Sequence, residues 1–442
     1  MMQSFGFALF VMVTGVLVLR PADLAPALAD LRLYEVTAMA CLMCLLPQVT
    51  AQLSLRALKA NPVTVCVLGL LVATPLSFVY QSDLSSLPEA TLTFLKVTVS
   101  YLLLTAAIHS AARLRSYLAW FALWLMVMTA LCLLQYHGVI DNPELAPKAD
   151  WVMNSETGVR EKVWRLSGVG VFGNPNNLAQ ILVTGMLISF YFLASHRSQL
   201  WRWLWLAPLG GFGYALFLTY SRGGFVSLLI GLLVLLYQRL GGIKAVVLGA
   251  LALPALFYLF GGGRQTDLNI EGGTGQQRIQ LWSDGFLAVR SSPLFGIGVG
   301  KYPELTGGLG AHNSFVHAYV ETGLLGGTLF LGAFYLSLTG LYRLRDPRMG
   351  LRDPDLVEQR SCLLAILVSY AVNLLGSSRN YDIPTYLLLG LATVYLRLAT
   401  QHIELTGYRL SLRLVARIAA VSLITALVLQ GVILAAVNWN GP

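Results

Sequence analysis

Ser314-Phe-Val-His-Ala-Tyr-Val-Glu-Thr-Gly-Leu-Leu-Gly-Gly-Thr-Leu-Phe-Leu-Gly-Ala-Phe-Tyr-Leu-Ser-Leu338 decides what kind of protein this is. In 25 residues it holds one carboxylate, Glu321, and one histidine, His317. A helix needs about 20 mostly apolar residues to cross a bilayer, so this stretch reads as a span. Similar stretches lie outward on both sides, at 5–19, 33–50, 63–80, 91–108, 117–136, 178–194, 204–220, 225–237, 245–260, 361–376, 384–399 and 415–437. The expected fold is therefore all-α: a polytopic integral membrane protein of about 12–13 transmembrane helices in one membrane domain, residues 1–442.

Composition agrees. Only 12% of the 442 residues are charged, against 56% hydrophobic, and soluble domains carry about twice that share of charge. Soluble, disordered and disulfide-scaffold classes are excluded. The first stretch lacks a basic start and runs into Arg20-Pro21, so it is expected to stay as a helix and not be cleaved as a leader. The five cysteines, including Cys41-Leu-Met-Cys44, sit in apolar runs and are expected to pack between helices without forming disulfides or a zinc site.

The net charge of +9 suggests nucleic acid until the charges are placed. With the N-terminus inside, 17 of the 30 basic residues fall in the short inner loops, and 12 lie outside, mostly in two much longer loops. That bias orients the helices in the membrane and implies no nucleic-acid partner. The long loops, 137–177 and 261–313, then face the extracytoplasmic side. They mix glycines, aromatics and charges, and long structured loops among short ones are where function gathers.

Three outer residues stand out. Arg222 occupies the tight turn Tyr220-Ser-Arg-Gly-Gly224 between two spans; it either holds a fixed ligand or snorkels to the headgroups. Arg278, in Gln276-Gln-Arg-Ile-Gln-Leu-Trp282, shares a helical face with Leu281, Trp282 and Gly285. It suits either a binding role or the wet side of an interfacial helix. His312 stands two residues before the span quoted first, as a functional group or as an interfacial cap. His317, five residues on, points away on a helical wheel, so the pair lacks metal-ligand spacing, and no metal is expected. A neutral imidazole can take a hydroxyl proton near pH 7, and arginine forks match phosphate oxygens. Together they suit a hydroxyl nucleophile with a diphosphate leaving group.

In this order the motifs resemble a known family. His312-Asn313, nine residues, Gly323, two residues, Gly326 is similar to the signature of the bacterial O-antigen ligases. Asn174-Pro-Asn-Asn177, Ser221-Arg-Gly-Gly224, Arg278 with Trp282, and Pro293-Leu-Phe-Gly-Ile-Gly-Val-Gly300 follow the order of the wider ligase–polymerase superfamily, over about residues 165–340. The resemblance implies a GT-C-like, inverting, metal-independent glycosyltransferase with no cofactor. Its donor would be a glycan on undecaprenyl diphosphate and its acceptor the lipid A–core glycolipid, at the periplasmic face of the inner membrane among membrane lipids. By motif, His312 is the expected general base, and Arg222 and Arg278 the diphosphate-binding residues. Asn174 and Asn313 come with the motifs. Arg165, Arg290, Arg379 and Tyr381 are secondary candidates without one, and Glu321 is a candidate because an intramembrane carboxylate is costly. A polymerase, whose acceptor is a second lipid-linked repeat, shares this chemistry. Relatives that glycosylate proteins usually add a large C-terminal domain, whereas this chain is expected to stop after its last span. A lipid-linked glycan transporter is the rival from another class, and it predicts repeat symmetry and charges at mid-membrane.

Overall fold

Helix starts are written into the sequence by short polar residues. Ser110, Asn174, Ser221 and Ser411 each accept a backbone N–H from the first turn that follows, and Pro175 stands at the first helical position behind Asn174. The computed structural model describes residues 2–81, 85–153, 160–195, 201–244, 247, 249, 274–346 and 349–437.

Among these, the longer helices in chain order are α1 (Met2–Leu19), α2 (Leu33–Gln52), α3 (Pro62–Tyr80), α4 (Leu87–Ala107), α5 (Ala111–Tyr136), α6 (Pro175–Leu193) and α7 (Leu206–Leu218). They continue with α8 (Arg222–Leu240), α9 (Thr274–Ala288), α10 (Ser314–Arg343), α11 (Pro354–Leu374), α12 (Ile383–Ala399) and α13 (Leu412–Ala436). Twelve of the stretches expected from hydropathy coincide with helices; the thirteenth, 245–260, lies almost wholly outside the described residues. Among the described residues, six helices (α2, α4, α5, α6, α10 and α13) are long and apolar enough to cross a membrane. In α13, Leu423, Ile424, Leu427 and Val428 are exposed, a surface that water would not tolerate and lipid would.

The chain divides into two compact units. One comprises Met1–Gln48, Ala106–Leu268 and Leu344–Asn373. Its centre is α6, buried on nearly all sides and packed by α5, α7 and α8. The other comprises Val49–Thr105, Asn269–Arg343 and Leu374–Pro442, with α10 at its centre against α3, α12 and α13. Small residues let these helices approach closely: a side chain at Gly69 of α3 would meet Leu329 of α10 at 2.9 Å.

Two features depart from a plain bundle of helices. The first long loop contains an antiparallel hairpin, β1 (Lys148–Met153) and β2 (Arg160–Arg165), with Lys148 opposite Arg165. The helix α10 is broken at Gly323, whose φ of 63° lies in the left-handed region. All five cysteines are free, and four are buried.

Candidate functional site

The break in α10 explains the glycines that mark the motif. It frees two carbonyls and two amides, and the run Pro293–Gly298 lies alongside and satisfies all four. Ile297 N donates to Val320 O and Gly298 N to Glu321 O, both at 3.0 Å; Leu324 N donates to Pro293 O at 2.9 Å and Leu325 N to Leu294 O at 3.1 Å. The two backbones touch so closely that a Cβ at Gly296 would come within 2.4 Å of the Glu321 carbonyl. One at Gly323 would meet Leu294 equally closely. Both glycines also need positive φ. The motif therefore encodes a backbone-to-backbone joint that fixes the second long loop onto the central helix.

A chain of hydrogen bonds runs from this joint to His312. Glu321, fully buried beside the break, accepts from Tyr302 N at 3.1 Å and pairs with His317 Nε2 at 2.9 Å. The Tyr302 hydroxyl donates to Leu281 O of α9 at 2.8 Å. One residue on, Trp282 Nε1 donates to Ala311 O at 2.7 Å, holding the residue just before His312. Asn313 accepts from Phe315 N and Val316 N and so caps α10. Ser314 Oγ donates to Ser377 O and accepts from Arg379 N, which ties in the connector before α12.

His312 itself is exposed and takes a left-handed backbone conformation, φ 49°. That strain persists because the residues on either side are pinned, and strained backbone of this kind gathers at functional sites. Its imidazole pKa is lowered from the ordinary histidine value by partial burial, then by the positive charge of Arg278, then by His317. The ring is thus held neutral at pH 7, the form that accepts a proton. The helical wheel, which sends His317 away from His312, does not apply to this pair. His312 precedes the cap and lies off the helix, so the 100° rule does not relate the two residues.

The remaining candidates sort by what they touch. Arg379 is buried and pairs with Asp382 at 2.9 Å. Tyr381 packs edge-on to Phe94 and to His317, at 6.0 and 6.1 Å between ring centres. Burial, followed by the Glu321 carboxylate, pushes its phenol well above the usual range. Arg290 is exposed at the rim of an apolar groove of about 230 Å³ formed with Phe286, Pro293, Tyr319, Leu324 and Leu427.

In the other unit, Arg222 opens α8 directly behind its Ser221 cap, and Tyr220 before it has φ 49°, so the expected tight turn is present. Arg165 is buried, with three bonds to protein: Nε to Thr219 O at 2.8 Å, Nη1 to Asp150 at 3.0 Å and Nη2 to Asn176 at 2.8 Å. Asn174 caps α6 by accepting from Asn176 N.

Reasoning from sequence missed the cluster in which buried Tyr302, His317 and Glu321 meet the partly buried Tyr381. The i, i+4 spacing of His317 and Glu321 was the available signal for half of it. Nothing local announces that Tyr302 and Tyr381 join them.

Residues 207–331 match a family model described as O-antigen ligase. The matched segment runs from α7 into the second half of α10 and includes Arg222, Arg278, His312, Gly323 and Gly326. The activity this supports is of the general ligase or polymerase type, in a multi-pass membrane protein. The match is narrower than the 165–340 expected from the motifs, and leaves out Asn174-Pro-Asn-Asn177. No curated protein matches the chain.

Proposed function

We propose that the chain is an inverting glycosyltransferase that moves a glycan from undecaprenyl diphosphate to a sugar hydroxyl of lipid A–core, at the periplasmic face of the inner membrane. The acceptor oxygen attacks the anomeric carbon as the carbon–oxygen bond to the diphosphate breaks. The hydroxyl proton passes to the neutral His312 imidazole. Negative charge on the departing diphosphate is met by the Arg278 guanidinium, which stays ionised throughout. Arg222 is assigned the same role on its motif alone. The apolar groove rimmed by Arg290 suits the polyprenyl chain, with the guanidinium near its charged end.

The observation that carries this reading is His312: exposed, strained, held neutral beside Arg278, and inside the matched segment. The periplasmic placement rests on the charge bias of the loops. The test is the product made in cells lacking the protein. Uncapped lipid A–core with accumulated lipid-linked polymer supports a ligase. Single repeats on the core make it a polymerase, and trapped lipid-linked glycan on the cytoplasmic side makes it a transporter.

A further inference from the structure

The unit built around α10 contains a second concavity. It has a volume of about 290 Å³ and opens between the first turns of α4, the end of the glycine run and the connector before α12. Its walls include Glu89, Thr93, Lys301, Glu304 and Tyr381. These three segments lie far apart in sequence, and the lysine–arginine bias sends each to the same outer side.

The lining decides what kind of ligand fits. Two carboxylates face one ammonium, and that ammonium, Lys301, is bound to Glu304 at 3.2 Å. A cleft with this balance repels phosphate, so it does not duplicate the arginine sites. Ala90, Phe94 and Val299 give the same cleft an apolar side next to these charges and hydroxyls. Carboxylates, a hydroxyl and an aromatic flank together suit a ligand that carries many hydroxyls on an apolar ring, namely a sugar. Gly300 adds to this: at φ 83°, nothing lies within 4 Å of where its Cβ would stand, so a ligand can approach its backbone. The volume sits at the small end of ligand pockets, which run from about 300 Å³ upward, and so matches one or two sugar units.

Position links the cleft to chemistry. Its Tyr381 wall packs edge-on to His317, and the His317 ring lies 3.9 Å from where a Cβ of Gly310 would stand, two residues before His312. We infer that this cleft is the acceptor-sugar subsite: it seats a hydroxyl-rich sugar unit and presents it toward His312. The inference rests on the glycosyltransferase reading above, and it adds a binding site that the motifs do not contain.

Binding can be measured apart from transfer. The full-length protein in detergent is titrated with delipidated lipid A–core oligosaccharide and with free hexoses, heptoses and N-acetylhexosamines, by saturation-transfer NMR. At least one sugar is expected to bind the unaltered protein. Ala90→Trp, which fills the cleft, is expected to weaken that binding by at least about tenfold. Glu89→Gln, an exposed change that leaves folding alone, is expected to weaken it several-fold. The proposal is overturned if no sugar binds, or if binding is indifferent to both cleft variants. If cleft-dependent binding persists while His312→Ala still transfers glycan, the base assignment fails and the subsite stands.

Discussion

Arg165 and His312 both lie in long loops, yet the protein treats them in opposite ways. The Arg165 fork is closed by three protein acceptors and buried, clamping the hairpin to the ends of α6 and α7. Around His312 the hydrogen bonds go to its neighbours, Ala311 and Asn313, and among the described residues none is made by its imidazole. A side chain whose bonding capacity is filled by protein holds structure. A side chain whose backbone is pinned while its ring stays exposed is prepared for a ligand.

The largest effect expected concerns the joint that supports His312. Gly296→Val drives a branched side chain into the Glu321 backbone at positive φ, and should cost more than about 3 kcal/mol. The check is loss of folded protein by size-exclusion chromatography and thermal melting. Arg165→Ala comes next. It removes the fork's charged bond to Asp150 and its bonds to Thr219 O and Asn176, and should cost about 3 kcal/mol. Faster hydrogen exchange over 148–153 and 160–165 should reveal it, with transfer per folded molecule unchanged. A loss of transfer beyond the folded fraction would break the contrast with His312.

Smaller effects sharpen the contrast. Trp282→Phe removes the 2.7 Å bond to Ala311 O at a cost of about 1 kcal/mol in stability. It lets the His312 backbone drift, so kcat should fall about tenfold with little change in KM. Arg278→Gln removes a positive charge that lowers the His312 pKa. The sign follows: without that charge the imidazolium is easier to keep, and the pKa rises toward the ordinary value. The acid limb of the pH–rate profile, expected below that of a free histidine in the unaltered protein, should move upward. NMR titration of His312 in the same variant reads the shift even where activity is low.

The fold was legible because lipid demands a signal that sequence cannot hide. Twenty apolar residues in a row are visible without knowing any contact, and the Ser110, Asn174 and Ser221 caps mark where helices begin. The β1–β2 hairpin left no comparable trace: Lys-Ala-Asp-Trp-Val-Met and Arg-Glu-Lys-Val-Trp-Arg alternate too weakly to stand out in a loop already rich in charge. At the candidate site, His312 and Arg278 were proposed through motifs, and the glycines at 296 and 323 belong to motifs whose reason only the backbone explains. The route from Glu321 through Tyr302 and Trp282 to Ala311 joins positions up to 40 residues apart. No local pattern encodes such a path, because each bond depends on where the broken helix places its neighbour.

The central claim is that a neutral His312 takes the acceptor's proton. Purified protein carrying His312→Ala, mixed in detergent with lipid-linked glycan and acceptor, tests it most directly. The account predicts a fall in transfer of about 10²–10⁴-fold, with thermal stability within about 1 kcal/mol of the unaltered protein. Transfer at the full rate by that variant would contradict it.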